Sequence, residues 1–285
     1  MWGLFYNKPH NIRKKGIYMK HIAIIINNTK PKAFDLFDKL INCIEKYNFE
    51  ILINDVSKNT ELVFTIGGDG TMVRALKQYP NIPTIGLNGG TLGFLTEINE
   101  ENLEKSIERI LNNDYIVEHC NVLDCNILRD NEIIHSGISI NDIVISRSNA
   151  LEMVRFDVFI NNKKIKQYNA DGYIVSTPIG ASAYSLSCGG PLIEPTSKLI
   201  ELTPIAAHSL VNRSIVVDDD KEIKIIIIDS RNNNDNTLLS IDGEEPIKLV
   251  KNDVIIIKKA NINLNLVRLN NDSFVENLSK KMYMI

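Results

Sequence analysis

The 285-residue chain lacks the features that mark several large protein classes. It has four cysteines, Cys43, Cys120, Cys125 and Cys188, and none forms a Cys-x-x-Cys pair. Cys120 and Cys125 are close, but no matching Cys or His pair lies nearby to complete a zinc site, and the five histidines also lack metal spacing. Scattered buried thiols fit a reducing compartment, so a cytoplasmic protein is expected. There is no basic excess: 32 Lys and Arg stand against 35 Asp and Glu, a net charge of −3. That argues against nucleic acid as the main partner. Apolar runs such as Ile22 to Ile26 are far too short to span a bilayer, so no membrane is expected either. No repeat recurs at a fixed period, and no low-complexity tract stands out beyond "RNNNDN". The opening "MWGLFYNKPHNIRKKGIYMK" is basic and has no apolar core, unlike a signal peptide. Met19 followed by "KHIAIII" looks like a natural start, so residues 1–19 are set aside as an extension or alternative start.

What is there is a globular composition, 44% apolar and 24% charged, with length for one large domain or two ordinary ones. Over residues 20–118, strand-like and helix-like stretches alternate. "HIAIIINN" is followed by "AFDLFDKLINCIEKY" after Pro31, then come "EILIN", "LVFTI", "TMVRALKQY", "IPTIGLN" and "NLEKSIERILNN". This alternation predicts an α/β domain with a parallel sheet and crossover helices. Over 119–260 the chain changes to short strands with period-2 stretches, among them "VLDCNILRD", "FDVFINNKKI", "DGYIVSTP" and "DVIIIKKA". Turns are marked by "RDNE", "NNKK" and "RNNNDN". A second, β-rich antiparallel domain is expected there. "PTSKLIELTPIAAHSL" is ambiguous and can supply a short helix, and the tail 261–285 has mixed character.

Two stretches carry chemistry. In "FTIGGDGTMVRAL" an apolar run ends in Gly67, Gly68, Asp69, Gly70 and Thr71. Glycines let successive N–H groups line one concavity for an anion, and a following helix adds its positive end. The P-loop pattern fails because no Lys follows Gly70, and the dinucleotide fingerprint fails because Val73 stands at its third glycine. A carboxylate among phosphate-binding glycines makes sense if the phosphate is to be transferred. Asp69 can accept a proton from an attacking hydroxyl, or help hold Mg²⁺. The bland alternative is a turn in which Asp69 caps the helix. The second stretch, "NADGYIVSTPIGASAYSLSCGGP" (169–191), packs small and hydroxyl residues around Tyr184. Such a surface lets a flat ligand approach the backbone, though it also suits a tight strand–loop–helix corner.

Together these stretches resemble the NAD kinases, which phosphorylate the 2′-hydroxyl of the adenosine ribose of NAD with ATP. "GGDGTMVRA", "NGGTLGFLTE", "INDIVISR", "DGYIVSTPIGASAYSLSCGGP", "HSLVNRSIVV" and "SIDGE" occur in the family's order. The resemblance implies an N-terminal α/β domain, a β-rich C-terminal domain with NAD bound between them, and a tail that returns to the first. It implies Mg²⁺ and ATP as cofactor and donor. It also implies a homodimer or homotetramer whose neighbouring subunit completes the NAD site. Asp69 matches the family's catalytic aspartate and Gly70 lies against substrate. Gly67, Gly68, Thr71 and Arg74 fall on the phosphate loop. Asn141 and Asp142 match the pair at the adenosine end. Ser182, Ala183, Tyr184, Ser185, Leu186 and Ser187 match the stretch that holds the dinucleotide, and Asp171 matches an aspartate near the nicotinamide. Asn169, Glu152 and Glu244 fall at lining positions, and Phe94 matches a pocket wall. No protein side chain is assigned as a direct metal ligand, and His208 is given no catalytic role. Ile179 and Ala181 stand where relatives carry hydroxyl residues, which removes a contact if those hydroxyls reach the ligand. "AAHS" stands where relatives often have Cys-Pro before the histidine. Two other readings compete: a lipid kinase of the diacylglycerol or sphingosine type, which shares "GGDGT", and a non-catalytic dinucleotide sensor. The sequence leaves open ATP against polyphosphate as donor, NAD⁺ against NADH, feedback regulation, and dimer against tetramer.

Overall fold

Alternating apolar and helix-patterned segments fold as their periods require. The computed structural model describes residues 20–27, 31–47, 49–89, 93–149, 152–209, 212–230, 237–270 and 273–282. The expected extension 1–19 and the Asn-rich turn at 231–236 lie outside the described residues. The elements run β1 (Lys20–Ile26), α1 (Pro31–Ile44), β2 (Phe49–Ile53), β3 (Leu62–Gly67), α2 (Asp69–Gln78), β4 (Thr84–Asn88) and α3 (Leu103–Leu111). There follow β5 (Ile116–Arg129), β6 (Glu132–Ser139), β7 (Asp142–Arg147), β8 (Val154–Ile160), β9 (Lys163–Ala170) and β10 (Gly172–Ser176). A short α4 (Tyr184–Ser187) precedes β11 (Leu199–Ile205), β12 (Ile215–Asp218), β13 (Ile223–Ser230), β14 (Thr237–Ile241), β15 (Ile247–Leu249), β16 (Val254–Arg268) and α5 (Ser273–Met282). The chain divides into two units: residues up to His119 with those from Leu264 onward, and Cys120–Asn263.

In the first unit β1 pairs in parallel with β2 and β3, β3 with β4, and Leu266 of β16 with Thr84 of β4. Every residue of β3 is buried, as expected for a parallel strand covered on both faces. Leu36, Leu40 and Ile44 of α1 and Ile107 and Ile110 of α3 pack with Ile22, Ile24, Phe64, Ile66 and Ile85 of the sheet. The strand order β2-β1-β3-β4 reverses direction at β1, so the carboxyl ends of β1 and β3 flank a topological switch point. Ligands of open α/β sheets bind at such points. Asn27 follows β1 there, and Gly68 and Asp69 follow β3.

The second unit is antiparallel. One sheet has the order β12-β11-β10-β7-β14-β15, and β8 pairs with β9 and β13, with β13 next to the first half of β16. Ile143, Tyr173, Val175 and Leu202 share one core with Phe156, Ile223, Ile225 and Ile255. Rings of Phe156, Tyr168 and Tyr173 meet there at 5.0–5.6 Å between centroids. The hairpins close on Asp130–Asn131 and Asn161–Asn162, with φ of 50° and 68°, and 48° and 62°. Short polar side chains tolerate that left-handed backbone, which suits two-residue hairpins. The segment left ambiguous at 195–210 is corrected: residues 199–205 form β11, paired with β10 from Gly172↔Ile205 to Ser176↔Glu201. Pairing overrides the mixed local pattern. The α/β first unit and the β-rich second unit are the expected fold class.

Candidate active site

The glycine turn and the helix after it place Asp69. Gly68 is the residue before α2, and no side chain caps the helix there. The capping alternative for Asp69 therefore does not hold: Asp69 is the first helical residue. Its carboxylate reaches the backbone of the following loop. The Phe94 N–H donates to Asp69 Oδ2 at 2.8 Å and the Leu95 N–H to Oδ1 at 3.1 Å. The chain can come this close because residue 93 is glycine: a Cβ there would sit 1.9 Å from Asp69 Oδ1. Each carboxylate oxygen keeps a further lone pair for a proton or a hydroxyl.

Around Asp69, Thr71 is buried and accepts from Asn27 Nδ2 at 3.3 Å, which ties the end of β1 to the first turn of α2. The Gly89 N–H donates to the Gly67 carbonyl at 2.9 Å, so the ends of β3 and β4 are joined as well. Gly70 is exposed with open space around it, and Arg74 is exposed on α2. The first N–H groups of a helix have no intrahelical acceptor and favour an anion. Phe94 is 6% exposed, its ring lies 6.3 Å from that of Phe274, and its backbone N–H serves Asp69. A cleft of about 760 Å³ opens in the same unit, lined by Lys32, Asp35, Lys39, Asn88, Gly89 and Glu100.

In the second unit the organising group is Asp242, which sequence reasoning passed over although it lies inside "SIDGE". Its carboxylate accepts from the Ile140, Asn141 and Asp142 N–H groups at 2.8–3.3 Å and from the Ser139 hydroxyl at 2.8 Å. The Asp242 N–H returns to the Asp142 carbonyl at 2.9 Å. Its φ of +51°, followed by Gly243 at +72°, was the available sign: an Asp-Gly turn aiming a carboxylate back at the chain. Asn141 is fixed from the other side as well. Its carbonyl accepts from Ser176 Oγ at 3.1 Å and Thr177 N–H at 2.9 Å, and a Cβ on Gly180 would lie 1.9 Å from it. The Asp142 carboxyl, 6% exposed, is pushed up to about 7, by burial first and by Asp242 second.

Tyr184 stands at the start of α4 with 46% of its surface exposed. Burial of part of the ring, then the Cys188 thiol, then Asp142 and Asp171 raise its hydroxyl above the ordinary value. Asp142 and Asp171 thus each lie within electrostatic reach of Tyr184, and Asp171 pairs with Arg147 at 3.0 Å. Leu186 and Ser187 are exposed, Ser182 and Ala183 half-buried, and Ser182 Oγ donates to the Ile179 carbonyl at 3.1 Å. Asn169 and Glu152 are half-buried and Glu244 is exposed. The Asn169 carbonyl accepts the His208 N–H.

Ser185 is placed otherwise than expected. Its hydroxyl is fully buried, donates to Glu201 Oε1 at 2.7 Å and stands 2.9 Å from Thr203 Oγ1, which donates to the same carboxylate at 2.8 Å, so it anchors the loop. Ile179 and Ala181 are also buried, at 3% and 0% exposure. Among the described residues no group of three His, Cys, Asp or Glu could hold a metal ion, and no helix is long and apolar enough to cross a membrane.

Comparison with known proteins follows the same division. Residues 28–115 match the family model of the ATP-NAD kinase N-terminal domain, and residues 140–269 that of the ATP-NAD kinase C-terminal domain. NAD kinases of Lachnospira eligens and Acetivibrio thermocellus are each 36% identical over 93% of this chain, covering 100% and 98% of their own length. That of Ruminiclostridium cellulolyticum is 32% identical over the same share. Among solved structures, a yeast NADH kinase complexed with NADH superposes with a TM-score of 0.82 at 22% identity, over 93% of this chain and 88% of that one. An Archaeoglobus fulgidus NAD kinase in complex with ATP gives 0.74 at 23%, over 93% and 99%. At those identities the structural likeness bears on the fold.

Proposed function

This chain belongs to the NAD kinase family, a family of phosphotransferases, and on that premise we propose how its residues divide the reaction. The reaction is transfer of the γ-phosphoryl group of ATP to the 2′-hydroxyl of the adenosine ribose of NAD, giving NADP and ADP. The observation that carries the reading is Asp69 itself: a carboxylate on the first turn of a helix, among glycines, fixed by two backbone donors.

A fixed carboxylate loses little freedom when the acceptor hydroxyl meets it, so positioning is already done. Asp69 takes the 2′-hydroxyl proton as the oxygen–phosphorus bond forms and the bond to the β-phosphate oxygen breaks. ADP leaves with that oxygen and the proton rests on Asp69. Gly67 ends β3, Gly68 leads into α2, and Gly70 and Thr71 lie in its first turn; the leading N–H groups of that helix suit the donor phosphates, with Arg74 on the same helix. In the second unit Asn141 and Asp142 hold the adenosine end. Ser182, Ala183, Tyr184, Leu186 and Ser187 line the dinucleotide, with Asn169, Glu152 and Glu244 at its margins and Asp171 towards the nicotinamide. Ser185 supports that stretch from beneath.

The donor set fits a magnesium ion that arrives with the nucleotide. One carboxylate stands at the glycine turn, and Mg²⁺ keeps several waters and binds through phosphate oxygens with few protein ligands. The ion supplies charge neutralisation on the phosphates. We further propose a cytoplasmic homo-oligomer in which a second copy completes the NAD site.

The test is Asp69→Asn. The variant is expected to fold and to bind NAD⁺ in calorimetry as the parent does, and to form NADP roughly 10²–10⁴-fold more slowly. Near-parental NADP formation would sink the assignment. Running ATP, other nucleotides and polyphosphate as donors against NAD⁺, NADH and a lipid acceptor fixes the substrates.

A further inference from the structure

Arg268, the last residue of β16, is the largest fully buried side chain among the described residues. Burying a guanidinium is costly unless its charge and its donors are all met. Two carboxylates meet the charge: Nε donates to Glu118 Oε2 at 3.1 Å and Nη1 to Glu97 Oε2 at 3.2 Å. The rest of the fork goes elsewhere. Nη2 donates to the Phe94 carbonyl at 3.1 Å and Nη1 to the Leu95 carbonyl at 3.3 Å. Glu97 is itself fixed, because its Oε1 accepts the Leu269 N–H at 3.1 Å.

The carbonyl of Phe94 and the N–H of Leu95 belong to one planar peptide group and point in opposite directions. On one side of that group stands Arg268 Nη2, on the other Asp69 Oδ1, each at 3.1 Å. A charged donor on the carbonyl polarises the peptide and strengthens its N–H as a donor. Holding both carbonyls with one rigid fork also fixes the direction of the amides that meet Asp69.

We propose that Arg268 is a positioning residue for the Asp69 carboxylate, acting through the Phe94–Leu95 peptide group. The proposal rests on the reading of Asp69 as the group that meets the acceptor hydroxyl. A misplacement near 1 Å at a reacting group costs on the order of 10²-fold in rate, so the effect belongs in turnover. Binding of the dinucleotide to the second unit's residues is left alone.

The experiment compares Arg268→Ala, Arg268→Lys and Asp69→Asn in the full chain. It measures thermal unfolding, NAD⁺ dissociation by calorimetry, and kcat and KM for NADP formation. Arg268→Ala is expected to keep the parental NAD⁺ dissociation constant and lose about 10- to 100-fold in kcat. Added guanidinium should restore part of that loss by filling the vacated fork site. Arg268→Lys keeps the charge beside Glu97 and Glu118 but not the fork, and is expected to remain folded with a similar deficit in kcat. Parental kcat in either variant, weakened NAD⁺ binding with unchanged kcat, or failure of both variants to fold would overturn the proposal in favour of a purely structural arginine. An Asp69→Asn protein that still turns over would instead sink the reading of Asp69.

Discussion

Gly93 shows how much one missing methyl group can decide. A Cβ there would press on the Asp69 carboxylate at 1.9 Å, so Gly93→Ala must push Asp69 off its two amides or move the loop. The expected result is a fall in kcat of about 10- to 100-fold with little change in NAD⁺ affinity, read by steady-state kinetics beside calorimetry. Asp142 makes a second prediction. Its carboxyl is raised from 3.8 to about 7 by burial and by Asp242, with Tyr184 and Cys188 also facing it. A carboxyl raised on folding favours the neutral form, so its contribution to stability is fully present below about pH 4. That contribution is lost as pH rises to about 7. Urea unfolding of the parent at pH 5 and pH 8 should therefore show a loss of stability that Asp142→Asn lacks. An equal slope in both proteins would show that another group titrates. With Asp142 in its proposed role at the adenosine ribose, NAD⁺ affinity should run the other way, rising from pH 6 to 8, because the ionised carboxylate is the stronger acceptor for ribose hydroxyls.

At the scale of elements, the loop from Thr177 to Gly190 is pinned at both ends. Gly180 lies on the Asn141 carbonyl, and Ser185 reaches Glu201 on β11. Glu201 is fully buried, and burial raises its carboxyl above the ordinary value although Ser185 and Thr203 donate to it. Ser185→Ala would strip one donor from a buried carboxylate, which costs roughly 1–3 kcal/mol. The expected outcome is a less stable protein with raised KM for NAD⁺ and nearly unchanged kcat, measured by urea unfolding and initial rates. A drop in kcat alone would mean that Ser185 meets the ligand directly. Helix α2 behaves differently. Its buried face, Met72, Val73, Ala75 and Leu76, was legible as helical spacing, but the partner of its first carboxylate was not. Asp69 and Phe94 are separated by 25 residues, and nothing in local propensity relates them.

For the whole molecule, the alternation of strand and helix up to α3 and the short strands after it gave the fold class without help from coordinates. Period and turn chemistry are local properties, and β3 and the Asn161–Asn162 hairpin follow from them directly. β11 did not, because "LIELTPI" takes its strand identity from pairing with β10. The family, too, was legible, since its motifs are contiguous stretches whose glycines and hydroxyls stay in order along the chain.

The sequence by itself therefore determined the two kinds of architecture, the kinase family and the carboxylate among glycines. Tertiary structure alone decided what holds that carboxylate and what tunes the rest. Gly93, the Phe94–Leu95 amides and Arg268 converge on Asp69 from β16 and the loop after β4. Asp242 reaches back about a hundred residues to set Asn141 and Asp142. The physical reason is that a pattern records which face of an element is buried, whereas a hydrogen bond depends on which elements meet.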